Sequence, residues 1–371
     1  MAKQLLVSTR KGLFTVAKNG ARVNGNWTIG DADFLGDNVT LALHDRRSGY
    51  DYAALDHGHF GVKMHRRRPG GDWQEIAAPA FPEKPEGLVE TDGWGNELPW
   101  TVKRVWALEA GGPDQDGLIW CGTLPGALFV SRDHGESWEW VKSLWDHPSR
   151  KRWMGGGADW PGIHSICVDP RDSNTVRLGV SCGGVWRTRD CGKTWELTAN
   201  GMRAEFMPEE QAGDPEIQDA HLLAQCQSQP DRLWVQHHNG IFRSDDAGEN
   251  WTEIHDVKPS GFGFAVVVHP RDGDKAWFVP GIKDEKRYPV DGRLVVTRTR
   301  DAGKSFDILG NGLPAEHAYD VVFRHALTLD ETGDKLAFGS TTGGLWLSEN
   351  QGEHWQEVSH TLPPIHAVRW N

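Results

Sequence analysis

Ser131-Arg132-Asp133-His134-Gly135-Glu136-Ser137-Trp138 carries the pattern Ser/Thr-x-Asp-x-Gly-x-x-Trp, and the pattern returns along the chain. Further copies run from Thr188 to Trp195, Ser244 to Trp251, Thr299 to Phe306 and Ser348 to Trp355. Most follow a short apolar run that begins at glycine: Gly126 to Val130, Gly184-Val185-Trp186, Gly240-Ile241-Phe242 and Gly343 to Leu347. The sequence therefore reads strand, tight turn, strand. Asp bonds its own downstream backbone, Gly accepts positive φ, and the closing Trp packs between sheets.

Two eroded copies precede these. Gly12 to Val16 leads to Asn19-Gly20 and Trp27, and Gly61 to Met64 leads to Arg66 through Trp73, with Arg68 where Asp would stand. Seven units at this spacing suit seven four-stranded blades. The tail Ile365-His366-Ala367-Val368-Arg369-Trp370 resembles the innermost strand Ile163 to Val168, so it is expected to pair with Leu5-Leu6-Val7-Ser8 and close the ring. The expectation is an all-β chain, 1–371, forming a single seven-bladed β-propeller domain. Its repeat resembles the Asp-box, or BNR repeat, of sialidase-like propellers. His164-Ser165-Ile166, Val235 to Gly240, Gly261 to Phe264 and Arg298 to Asp301 are similar to a bacterial cytoplasmic branch often labelled exo-sialidase or glycosyl hydrolase. The Arg-Ile-Pro motif of true sialidases is absent, which argues against that activity.

Nineteen Trp and thirteen Phe beside a mean hydropathy of −0.56 fit short strands with large packing residues and long polar loops. A formal charge of −12 disfavours a nucleic-acid partner, since phosphate binding needs a basic face. Arg66-Arg67-Arg68 is read as a solvated turn. No stretch approaches a membrane span, and the start runs into Leu5-Leu6-Val7 without an apolar signal, so a cytoplasmic protein with reduced cysteines is expected.

In a propeller, the starts of the innermost strands and the ends of the second strands share one face, and function is expected there. Aligning units places His164, His221, Phe264, Tyr319, His366, Trp106 and Val39 in corresponding positions. The second strands end at Thr9-Arg10-Lys11, at Asp56 to His59 and at His237-His238. Imidazole titrates near neutrality and ligates metals, so His164, His221, His237 and His238, with Tyr319, form the candidate catalytic set. A divalent metal at the histidines is one option. Arg10, Lys11, His59, Trp106, Arg152, Arg287 and His366 are the candidate substrate-binding residues. Long insertions at 77–104, 142–163, 199–219 and 281–291 lie on the same face, and long loops in compact domains are usually functional or disordered.

Glycoside hydrolysis needs two carboxylates across a site. Asp56, Asp146, Asp159, Glu205 and Asp320 are the rim candidates, and spacing selects no pair. Two classes stay open: a hydrolase or lyase acting on a small anionic or sugar-like substrate, and a non-catalytic scaffold for a protein partner. The oligomeric state is not legible.

Overall fold

The computed structural model describes residues 4–18, 26–156 and 158–371. The Asn19-Gly20 turn of the first eroded unit lies outside the described residues. Seven four-stranded antiparallel sheets follow one another around a ring. Blade one pairs Ile365–Trp370 with Gln4–Thr9, then adds Gly12–Lys18 and Trp27–Asp33. Leu5 lies opposite Trp370 and Val7 opposite Val368, so the two ends of the chain close the ring. No helix among the described residues is long and apolar enough to cross a membrane.

The five recurring turns share one hydrogen-bond pattern. Ser131 Oγ donates to Asp133 Oδ1 (2.8 Å) and accepts from the Gly135 N–H (2.8 Å), while Asp133 accepts from the Ser137 N–H (2.9 Å) and Oγ (2.6 Å). Thr188, Asp190, Gly192 and Thr194 repeat it, and Ser348 repeats it with Asn350 in place of Asp. Burial opposes ionisation of Asp190, but its hydrogen bonds from Thr194 and Thr188 outweigh burial and bring its pKa down to about 2.

The closing Trp then locks blade to blade. The Trp251 N–H donates to the Asn200 carbonyl (2.8 Å) and the Trp355 N–H to that of Asn311 (2.9 Å). Gly201 and Gly312, which follow those asparagines, have φ of 87° and 90°, and a Cβ there would fall 2.3 and 2.1 Å from the Trp251 and Trp355 carbonyl oxygens. Only glycine fits. The indoles sit in the cores between blades, Trp195 with Trp120 and Trp186, Trp355 with Trp277 and Phe338.

One irregularity recurs at the channel mouth. Near its start, the innermost strand carries one residue more than its partner, leaving Thr40, Trp106, His164, His221 and His366 out of register. Such β-bulges re-aim a side chain. In blade six the shift falls between Gly263 and Val266 and contains Phe264. Two expected positions are corrected here. Val39 is paired to Leu55 and buried, so the bulged residue of blade two is Thr40. Tyr319 is 63% exposed and precedes the blade-seven strand Leu327–Leu329, whose mouth end is formed by the turn Arg324–Ala326.

That turn crosses the ring. His325 Nε2 donates to the Trp106 carbonyl (2.9 Å), joining blade seven to blade three on the opposite side. Behind it, a channel cavity of about 700 Å³ is lined by the inner strands, including Glu109, Cys167, Val267 and Arg369.

Candidate functional site

Two of the four long insertions meet bulged residues, Asp219 facing His221 and Arg287 lying over Phe264, and a third brings Gly156 beside Asp219. Asp219, the last residue of the 199–219 insertion, is 1% exposed and held at every polar atom. Its N–H donates to His237 Nε2 (3.1 Å), its carbonyl accepts from the His238 N–H (3.0 Å), and Oδ1 accepts from the Cys182 N–H (3.3 Å). Oδ2 faces His221 Nε2 at 3.5 Å and His238 Nδ1 at 3.3 Å. Burial alone would raise the Asp219 carboxyl. Attraction to His221 and hydrogen bonds with His221 and His238 overcome burial and hold it well below the usual carboxylate range.

The histidines divide into distinct roles. The His221 Nδ1–H donates to the Gly263 carbonyl (2.7 Å), which fixes the tautomer, and its ring stacks on Phe264 with centroids 4.6 Å apart. His238 is partly exposed and lies 5.0 Å from the Phe206 ring of the same insertion as Asp219. Burial would lower its pKa, but the hydrogen bond to Asp219 and its charge raise it. Fully buried His237 accepts from Asp219, and burial lowers it to about 3, so it braces the loop as a neutral ring. His164 is buried beside them; its Nδ1 bonds Ser165 Oγ (2.8 Å), Nε2 has no partner among the described residues, and the ring meets Trp106 edge-on. Thus the structure brings His221 and His238 together on Asp219, with His237 behind them and His164 outside the triad.

Beside this cluster lies a cationic one. Arg324 is 8% exposed, with its guanidinium 4.6 Å from the Trp106 ring centre and 5.7 Å from that of Phe264. Its Nε has no hydrogen-bond partner, and among the described residues no carboxylate pairs with it. Burial, opposed by Asp219 and reinforced by Arg287 and Arg104, brings its pKa down to about 10. The Arg104 Nε is likewise buried and unpartnered. Arg287 lies 5.4 Å over Phe264 and pairs with Asp284.

The remaining candidates are dispersed. Arg10 and Lys11 are exposed at a hairpin tip, and His59 packs against exposed Phe60. Arg152 is engaged by both Asp214 and Glu216. His366 Nε2 donates to Asn38 Oδ1 (2.9 Å), and burial, then Arg104 and Arg10, lowers it to about 4. Among the carboxylates, Asp320 accepts from Ser340 Oγ (2.6 Å), Asp146 pairs with Lys142 and Glu205 with Arg203, while Asp56 caps Gly58 and Asp159 is exposed. Residue-by-residue reading missed Asp219 and Arg324. The Asp219-Ala220-His221 spacing was a visible sign of the first, whereas nothing local marked the second.

No known protein-family profile matches the chain. Over 273 residues it is 24% identical to an oligoxyloglucan-reducing end-specific xyloglucanase of Emericella nidulans, covering 66% of this chain and 31% of that protein. Over 178 residues it is 26% identical to a xyloglucanase from a Paenibacillus species, covering 42% of this chain and 16% of that protein. The chain therefore spans less than a third of either relative. Among solved structures it is similar to an ancestral GH74 enzyme, with a TM-score of 0.56 and 17% identity over 86% of this chain and 38% of that one. It is also similar to YCF48 bound to D1 peptide, with a TM-score of 0.53 and 12% identity over 86% and 80%. At these identities the likeness is one of fold: a seven-bladed propeller distantly similar to xyloglucanases and YCF48.

Proposed function

We propose that the chain is a hydrolase- or lyase-like propeller that binds a small anionic substrate at the channel mouth. The reading rests on Arg324. A guanidinium buried with no carboxylate counterpart is costly, and a planar fork without a protein acceptor suits a carboxylate or phosphate. Trp106 and Phe264 supply apolar faces beside it, and Arg104 and Arg287 extend the positive field. The anion's reacting end would then face the Asp219, His221 and His238 cluster. Distant similarity to xyloglucanases fits a hydrolytic ancestry, and a sugar acid would combine both features.

The test is a thermal-shift and calorimetric screen of sugar acids, small dicarboxylates and phosphate esters against wild type, Arg324→Met and Arg152→Gln. A stabilising anion should lose its effect in Arg324→Met and keep it in Arg152→Gln, because Arg152 is already satisfied by two carboxylates. Equal responses in all three proteins would remove Arg324 from recognition.

A second reading, a peptide-binding scaffold, is favoured by one observation. Phe60, Trp94, Phe206 and Tyr319 are all exposed on loops of this same face. The neighbour YCF48 was solved with a peptide. Peptide binding that survives Arg324→Met but fails when Trp94 and Tyr319 are changed to serine would favour this reading.

A further inference from the structure

We infer that Asp219, His221 and His238 form a mononuclear binding site for a divalent transition metal, with zinc the best fit.

A backbone carbonyl sets the tautomer of His221. The Gly263 carbonyl can only accept, so His221 Nδ1 carries the proton in that 2.7 Å bond, and Nε2 of a neutral ring presents a lone pair. That lone pair faces a carboxylate oxygen at 3.5 Å, and a second imidazole nitrogen, His238 Nδ1, faces the same oxygen at 3.3 Å. When an ion displaces the protons that otherwise join these two nitrogens to the carboxylate, three lone-pair donors converge on one point. All three ligand atoms lie within 4.8 Å of one another.

The spacing from the carboxylate oxygen fits zinc. Zinc binds imidazole nitrogen and carboxylate oxygen at about 2.0–2.2 Å, and the edge of a tetrahedron of that radius is about 3.3–3.6 Å. Both distances from Asp219 Oδ2 match it. An octahedral ion at the same radius would need neighbouring ligands about 3 Å apart. Three protein ligands leave the fourth vertex for water or substrate, the arrangement of a catalytic rather than a structural zinc.

The outer shell is that of a built site. His221 donates its second nitrogen to a backbone carbonyl, as metal-bound histidines commonly do, and Asp219 Oδ1 is held by the Cys182 N–H. Phe264 stacks on one ligand ring and Phe206 abuts the other. Gly156, from the 142–163 insertion, lies over the carboxylate, and a Cβ there would fall 2.9 Å from Asp219 Oδ2. The space beside the proposed ligand oxygen is thus kept free of a side chain.

The experiment uses untagged full-length protein, stripped with chelator and titrated with Zn²⁺ and Co²⁺. The expected result is one saturable zinc per chain, a rise in unfolding temperature, and an intense visible Co²⁺ spectrum characteristic of four-coordination. His238→Ala, at a partly exposed position, should fold and bind zinc at least about 100-fold more weakly, while His59→Ala binds as wild type. Asp219→Asn provides a second ligand variant. Absence of saturable 1:1 binding, or unchanged affinity in a folded His238→Ala protein, overturns the assignment. A six-coordinate Co²⁺ spectrum overturns the tetrahedral geometry and with it the choice of zinc.

Discussion

Replacing Arg324 with methionine should stabilise the unliganded protein while abolishing its response to anions. The charged guanidinium is buried, and depression of its pKa from above 12 to about 10 corresponds to roughly 3 kcal/mol against the charged form. Its contacts with Trp106 and Phe264 return about 1–2 kcal/mol. Methionine keeps much of the apolar stem and adds no polar atom that needs a partner. The net gain should be about 1–2 kcal/mol. Unfolding entropy of about 2.1 cal/mol/K per residue, over a chain of 371 residues, makes this a rise of about 1–3 °C. Differential scanning calorimetry of wild type and variant, without ligand and with anion near 100 times its Kd, measures both halves. Wild type should gain about 2.7 kcal/mol from ligand and the variant nothing. If Arg324→Met instead loses 2 kcal/mol or more without ligand, the arginine is a structural crosspiece of the ring and the binding argument fails.

Gly312→Ala should cost at least about 2 kcal/mol, because the new methyl meets the Trp355 carbonyl at a left-handed backbone position; a urea midpoint within error of wild type would refute the blade-to-blade lock. Ending the chain at Pro364 removes buried Ile365, Ala367, Val368 and Trp370 and opens blade one, so near-UV dichroism and cooperative unfolding should both be lost. Stability should fall as pH drops below about 6.5, because folding lowers His325 to about 3 and His366 to about 4. With both folded values depressed, the unfolded chain binds more protons between about pH 6.5 and those values, so each group subtracts up to about 1.4 kcal/mol per pH unit on acidification and nothing above that window. His366→Gln, which can keep the Asn38 bond, should flatten the slope in urea titrations at pH 7, 6 and 5; an unchanged slope counts against the assignment.

The recurring turn made the architecture readable because its information is local. Ser131, Asp133, Gly135 and Trp138 set a backbone path and a packing anchor within eight residues, and repetition then imposes blades that only a closed ring can bury. The likeness of the tail to an inner strand likewise foretold closure, and Ile365–Trp370 does pair with Gln4–Thr9 as the innermost strand of blade one. His221, His237 and His238 could be placed at the channel mouth from sequence because strand starts and ends recur in register. Other site features depend on contacts far apart in the chain. Asp219 is significant through the loop that turns it onto His221 and His238, and Arg324 through a turn that replaces the start of an inner strand and crosses to Trp106. Tyr319 was aligned to that place because a count of residues cannot see such a turn. The sequence alone therefore determined the seven blades, their order and their closure, all consequences of short-range hydrogen bonding repeated along the chain. Only the tertiary structure decided which polar groups meet at the mouth, because bulges and insertions, rather than the repeat, aim those side chains at one another across the ring.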